Sequence, residues 1–111
     1  MLGTYTPDRG DVVWLNFTPQ SGHERAGTRP ALVVSPRAYN QKSGLMLACP
    51  ITTKIKGYPF EVVIHAKKTS GVILADQIKS FDWKARKAAF VERAPKLVLS
   101  RVQQLIRLLV A

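Results

Sequence analysis

The stretch DVVWLNF, residues 11–17, decides the architecture. β-Branched and aromatic residues fill a strand-length window, with Val13, Leu15 and Phe17 on one face and Val12, Trp14 and Asn16 on the other. Similar short runs follow along the chain: ALVVSP at 31–36, GLMLACPIT at 44–52, FEVVI at 60–64, GVILADQI at 71–78 and AAFVE at 88–92. Turn residues separate them. Pro50 lies inside the third run, and because proline cannot donate to a ladder, an edge or a bulge is expected there. Five or six short strands of this kind predict a small antiparallel barrel, since closure removes exposed strand edges.

Beyond Ala94 and Pro95 the period changes. Val98, Val102, Leu105, Ile106 and Leu109 recur at three- and four-residue spacing, with Arg101, Gln104 and Arg107 between them, which predicts a C-terminal amphipathic helix packed across the sheet. A chain of 111 residues with 46% hydrophobic content has single-domain length, and residues 1–111 are expected to form one domain. Seventeen Lys and Arg against seven Asp and Glu leave a formal charge of +10, which favours a polyanionic partner, nucleic acid first. The basic residues are scattered from Arg9 to Arg107, which argues against a membrane surface. Cys49 stands alone in an apolar run and reads as a buried core residue, so neither a disulfide nor a cysteine metal cluster is expected. With no apolar run of signal-peptide length at the N-terminus, a cytoplasmic protein is expected.

Charge gathers ahead of the second strand. SGHERAGTRPALVVSP, residues 21–36, sets His23, Glu24, Arg25 and Arg29 among two glycines, and Pro30 holds Arg29 in an extended conformation. An arginine fork on a loop held by a rigid sheet suits a phosphate.

RGDVVWLNF (9–17), GHERAGTRPALVVSP (22–36), CPITTKIKGYPFEV (49–62) and ADQIKSFDW (75–83) together resemble the MazF/PemK family of toxin endoribonucleases of toxin-antitoxin modules, over about residues 5 to 110. The resemblance implies a mainly β fold with helices. The implied fold is a small SH3-like antiparallel barrel of about six or seven strands with the C-terminal helix, and the implied assembly is a homodimer. It also implies metal-independent cleavage of single-stranded RNA, chiefly messenger RNA, with no cofactor. It assigns the family's G-x-R-P arginine to Arg29, its Pro-x-Thr threonine to Thr52 and the glutamate of the preceding loop to Glu24. Asp76, Gln77, Ile78 and Lys79 fall on the family's segment near the RNA. The partner implied is an antitoxin with an acidic, flexible tail, for which a +10 surface is a natural receptor.

Those assignments agree with the chemistry of RNA self-cleavage, in which a deprotonated 2′-hydroxyl attacks the adjacent phosphorus to give a 2′,3′-cyclic phosphate and a 5′-hydroxyl. Arg29 suits the extra negative charge of the phosphorane, and the Thr52 hydroxyl can donate to a non-bridging oxygen. The base stays open between Glu24, a weak base at its ordinary pKa of about 4.3, and His23, which titrates in a more useful range. The proton donor to the leaving oxygen also stays open.

Lys54, Lys56 and Lys79 are read as tracking the RNA backbone beside Gln77 and Arg25, whereas Lys67, Lys68, Lys84, Arg86 and Lys87 are read as general field charges. Trp14 and Trp83 are read as core or interface residues rather than stacking platforms, and His65 as a strand-end residue. Asn16, His23 and Lys54 stand where many relatives have an acidic residue, Ser and Gln, so base preference is expected to differ there. Two other readings are a non-catalytic gyrase-poison-like toxin of the same barrel type and a basic nucleic-acid-binding SH3-like module. The first depends on an aromatic-Gly-Ile type end, which residues 109–111 do not match.

Overall fold

The structure, a computed structural model, describes residues 5–16 and 27–111. Its strands are β1 (Asp11–Asn16), β2 (Thr28–Val33), β3 (Leu45–Thr52), β4 (Glu61–His65), β5 (Ser70–Leu74), β6 (Lys79–Asp82) and β7 (Ala89–Arg93). Helix α1 (Arg37–Ser43) joins β2 to β3, a 3₁₀ turn (Ala75–Gln77) joins β5 to β6, and α2 (Lys96–Val110) follows β7. All pairings are antiparallel and run β4-β5-β3-β2-β1-β7, with β6 also on β3, so the sheet curls into a half-barrel. The expected barrel with a C-terminal helix is thus observed. Among the described residues no helix is long and apolar enough to cross a membrane.

The curled sheet packs a core against each of its faces, with both faces covered along most of β1 and the end of β2. Val12, Leu32, Cys49, Ile51, Val62, Ile64 and Ile73 form a core with Val102 and Leu105 of α2. On the other face Val13, Leu15, Ala31, Val33, Met46 and Ala48 pack with Phe81 and Trp83. Burial on both faces explains why β1 and the end of β2 read as continuous apolar runs, whereas β4 alternates between buried and exposed residues. Cys49 lies in the first core as expected, and burial pushes its thiol up to about 12. Leu109, counted in the apolar stripe of α2, is instead half exposed, as are Leu97, Leu108 and Val110 to a greater degree.

Strand boundaries depart from the sequence reading in three places, each for a local reason. β2 begins at Thr28, so Arg29 and Pro30 belong to the strand and pair with Leu15 and Trp14 of β1 rather than ending a loop. The run 71–78 breaks after Leu74 into the 3₁₀ turn, so Gln77 sits on that turn and not on a strand, and Lys79 opens β6. Pro50 is neither at an edge strand nor at a bulge. β3 is central, pairing with β6 over Leu45–Ala48 and with β5 from Ile51, and the proline falls where the ladder changes partner and its missing N–H is tolerated.

The short helix α1 was not expected from sequence and is held from outside. Its buried Asn40 donates from Nδ2 to the Pro7 and Ser35 carbonyls at 2.8 and 3.0 Å and accepts the Ser35 hydroxyl at 2.6 Å. Its carbonyl accepts the Trp83 indole N–H at 2.9 Å. Below it, the buried Asp11 carboxylate accepts the Tyr5 hydroxyl and pairs with Arg93 at 2.9 Å, anchoring the N-terminal segment to β7.

Candidate active site

Register brings the two predicted phosphate-binding side chains together. β2 and β3 pair at Ala31↔Pro50, Leu32↔Cys49 and Val33↔Ala48, and continuing that register two residues sets Arg29 level with Thr52. Both line a cleft of about 360 Å³ shared with Pro50, Ile51, Lys54, Lys56, Tyr58, Gln77 and Lys79. Both also line a second cleft of about 300 Å³, formed with Trp14, Pro30, Thr53, Lys68 and Ser70. Arg29 and Thr52 therefore stand on the saddle between two clefts.

The Thr52 hydroxyl is oriented by its surroundings. Its Oγ1 accepts the Lys54 backbone N–H at 3.1 Å, which leaves the hydroxyl hydrogen available to donate into the cleft. Its main chain is pinned by β5, which it meets at Val72, beside Gly71. Gly71 has φ +145, and a Cβ built there would lie 2.4 Å from the Thr52 carbonyl oxygen, so only glycine allows this approach.

Cationic groups dominate the larger cleft. Arg29, Lys54, Lys56 and Lys79 line it and form no ion pair among the described residues. Two carboxylates also border it, Asp76 and Glu61. Glu61 is committed to the loop, accepting the Lys56 N–H at 3.1 and 3.3 Å and the Gly57 N–H at 2.9 Å. The Lys56 ammonium lies 5.9 Å from the centre of the Tyr58 ring, which is 59% exposed. A field of four cations around a cleft with one exposed aromatic ring fits a single nucleic-acid strand.

Of the site residues predicted from sequence, Arg29, Thr52, Lys54, Lys56, Gln77 and Lys79 meet in one cleft. Asn16 does not line it. It pairs with Thr28, its backbone N–H donates to the Arg86 carbonyl at 2.9 Å, and its carbonyl accepts from the Arg86 guanidinium at 3.2 Å. His23, Glu24 and Arg25 lie outside the described residues. Sequence reasoning missed Tyr58 and Glu61, although both stand inside the KGYPFEV motif, and it placed Lys68 among the general field charges when it borders the second cleft. Trp83 is buried as expected, and Trp14, read as a core or interface residue, is 45% exposed on that same cleft. Among the described residues no group of His, Cys, Asp and Glu gathers that could hold a metal ion.

Comparison with known proteins identifies the family and the fold. Residues 8–110 match the model of the PemK-like, MazF-like toxins of type II toxin-antitoxin systems. The chain is 53% identical over 88 residues to the endoribonuclease toxin MazF of Escherichia coli K12, covering 79% of each chain. It is 32% identical to an Escherichia coli endoribonuclease PemK, over 86% of this chain and 75% of that one. Its fold superposes on MazF in a MazE-MazF crystal structure from Deinococcus radiodurans with a TM-score of 0.87, at 49% identity and covering 97% and 98% of the two chains. With a family model spanning nearly its whole length and relatives at this identity, the chain belongs to the PemK-like, MazF-like endoribonuclease toxins of type II toxin-antitoxin systems.

Proposed function

We propose that the chain, as one toxin domain, cuts single-stranded RNA, messenger RNA above all, by turning the ribose 2′-hydroxyl into the nucleophile without a metal. The observation that carries this reading is the saddle shared by Arg29 and Thr52. A phosphate bound there meets the Arg29 guanidinium, which stabilises the two negative charges of the phosphorane, and the Thr52 hydroxyl, which donates to a non-bridging oxygen. Holding the phosphate at two points also aligns the 2′-oxygen with the departing 5′-oxygen. Glu24 is the proposed base, with His23 as its alternative. Glu61 is unsuited to that role, because its carboxylate oxygens are already engaged by the Lys56 and Gly57 backbone N–H groups. Lys54, Lys56 and Lys79 neutralise flanking phosphates, and Gln77 offers an amide to a base edge.

The proposal extends to partners. The Deinococcus radiodurans structures pair a MazF with a MazE, and we infer a corresponding antitoxin for this chain, whose acidic segment competes with RNA for the same cations. The active form is a homodimer in the cytoplasm, and the apolar side chains that α2 leaves exposed, Leu97, Leu108 and Val110, supply surface for a second copy.

The test is end analysis in excess EDTA. Single-stranded RNA should yield 2′,3′-cyclic phosphate and 5′-hydroxyl ends, all-deoxy strands should remain intact, and Arg29→Ala should lower the rate by about 10²- to 10³-fold while keeping the fold. Ends carrying 5′-phosphate, or loss of cutting with the chelator, overturn the reading.

A further inference from the structure

The cleft on the Trp14 side of the saddle is not used by the chemistry above. Trp14 reaches it from β1, where it pairs with Pro30, and the opposite wall is the β4–β5 turn carrying Lys68, Thr69 and Ser70. That turn is pinned from outside the cleft. The Glu92 carboxylate of β7 accepts the Lys68 N–H at 3.0 Å and the Thr69 hydroxyl at 2.7 Å, which fixes the wall and leaves the Lys68 side chain exposed. A half-exposed indole and an exposed lysine lining one cleft of about 300 Å³, at the small end of ligand sites, have the chemistry of a site for one nucleotide.

Its position sharpens this. Arg29, Ile51 and Thr52 border both clefts, so a strand whose scissile phosphate rests on Arg29 and Thr52 must leave the saddle in two directions. One direction runs past Lys54, Lys56 and Lys79, and the other runs past Trp14 and Lys68. A half-exposed tryptophan flanked in its strand by the buried Val13 and Leu15 costs the fold packing area, which is consistent with a ligand covering it.

We propose that Trp14 and Lys68 form a second nucleotide subsite. The indole stacks on the base, and the ammonium neutralises the phosphate, of the nucleotide on the side of the scissile bond opposite the Lys54–Lys79 cleft. This inference rests on the endoribonuclease reading, and Trp14 acts in it as a positioning and affinity residue.

The test uses short oligonucleotides that are deoxy except for one ribose at the cleavage position, lengthened by one nucleotide on the 5′ side only or on the 3′ side only. The wild-type protein should gain in KM from the extension on one of the two sides, by roughly 5- to 100-fold, as expected for one stacked base. Trp14→Ala should lose that gain, Trp14→Phe should keep most of it, and Lys68→Ala should weaken it and flatten its salt dependence. Fluorescence gives a readout independent of turnover. Trp83 is 5% exposed, so an uncleavable all-deoxy strand should quench Trp14 alone, and Trp14→Phe should abolish the quench.

Equal effects of Trp14→Ala on both extensions, a quench that survives in Trp14→Phe, or Trp14 emission already characteristic of burial and unmoved by the strand would overturn the subsite. The last result would mean that a second copy of the chain covers the indole. If the wild-type protein cuts none of these substrates or longer RNA, the endoribonuclease reading itself fails. If it cuts them and Arg29→Ala does not, while Trp14→Ala leaves the extension gain intact, only the subsite is refuted.

Discussion

Replacing Gly71 by alanine should damage the site through Thr52, without touching any group assigned to the chemistry. The added Cβ would lie 2.4 Å from the Thr52 carbonyl oxygen, 3.1 Å from its carbonyl carbon and 3.6 Å from the Thr53 Cα. Ordinary carbon–oxygen contacts are about 3.3 Å or longer, so the Thr52 peptide must move by about 1 Å or β5 must peel away. The backbone adds to this, because φ +145 is a conformation that alanine rarely adopts, and the strain amounts to about 1–3 kcal/mol. A displacement of about 1 Å at a positioning group costs on the order of 10²-fold in rate. The expected outcome is therefore a loss of about 2–4 kcal/mol in urea unfolding together with a fall of about 10²-fold in kcat at a temperature where the variant remains folded. Gly44→Ala is the control. Gly44 also has positive φ (+76), but nothing lies within 4 Å of its Cβ, so it should lose about 1 kcal/mol of stability and cut normally. A Gly71→Ala protein that cuts at the wild-type rate, or whose rate falls no further than that of Gly44→Ala, would refute the claim that β5 sets the position of Thr52.

Two further outcomes follow from groups outside the saddle. Glu61→Ala should release the loop that carries Lys56 and Tyr58, raising KM for RNA several-fold with little change in kcat, and unprotected amide exchange at Lys56 and Gly57 is the direct check. For Asp8, burial pushes the carboxyl up, but the Arg37 and Arg9 backbone N–H groups and the Arg37 and Arg93 guanidiniums outweigh it, so the carboxyl sits below its ordinary value of 3.8. A depressed carboxyl stabilises the fold above its unfolded value and loses that contribution as pH falls through its folded one. Unfolding measured from pH 5 to pH 2 should therefore show a stability loss below about pH 4 that is smaller in Asp8→Asn.

The sheet was legible because its runs are long enough to show strand chemistry, and α2 because Val98, Val102, Leu105 and Ile106 recur on one face. α1 was not, since RAYNQKS has no apolar face. What makes it a helix is a set of partners distant in sequence: Pro7, Ser35 and Trp83 around Asn40. The break after Leu74 was hidden for a similar reason, as Ala75 is apolar and buried and so continues the run in composition while the backbone turns. Arg29 and Thr52 were found through motif resemblance, and nothing local to either predicts the register that sets them level. By residue type Trp14 reads as a core or interface residue, and its 45% exposure and place on the second cleft come only from the folded structure.

The change of partner along β3 divides labour within the molecule. Arg29 and Thr52 sit on strands whose backbones are fixed by hydrogen-bonded ladders, whereas Lys54, Lys56 and Tyr58 sit on the loop after β3 and Gln77 on the 3₁₀ turn. The backbone under the second group is therefore freer to vary than that under the first. On the proposed reading of the site, a laboratory selection for new cleavage sites should find its tolerated changes on that turn and loop.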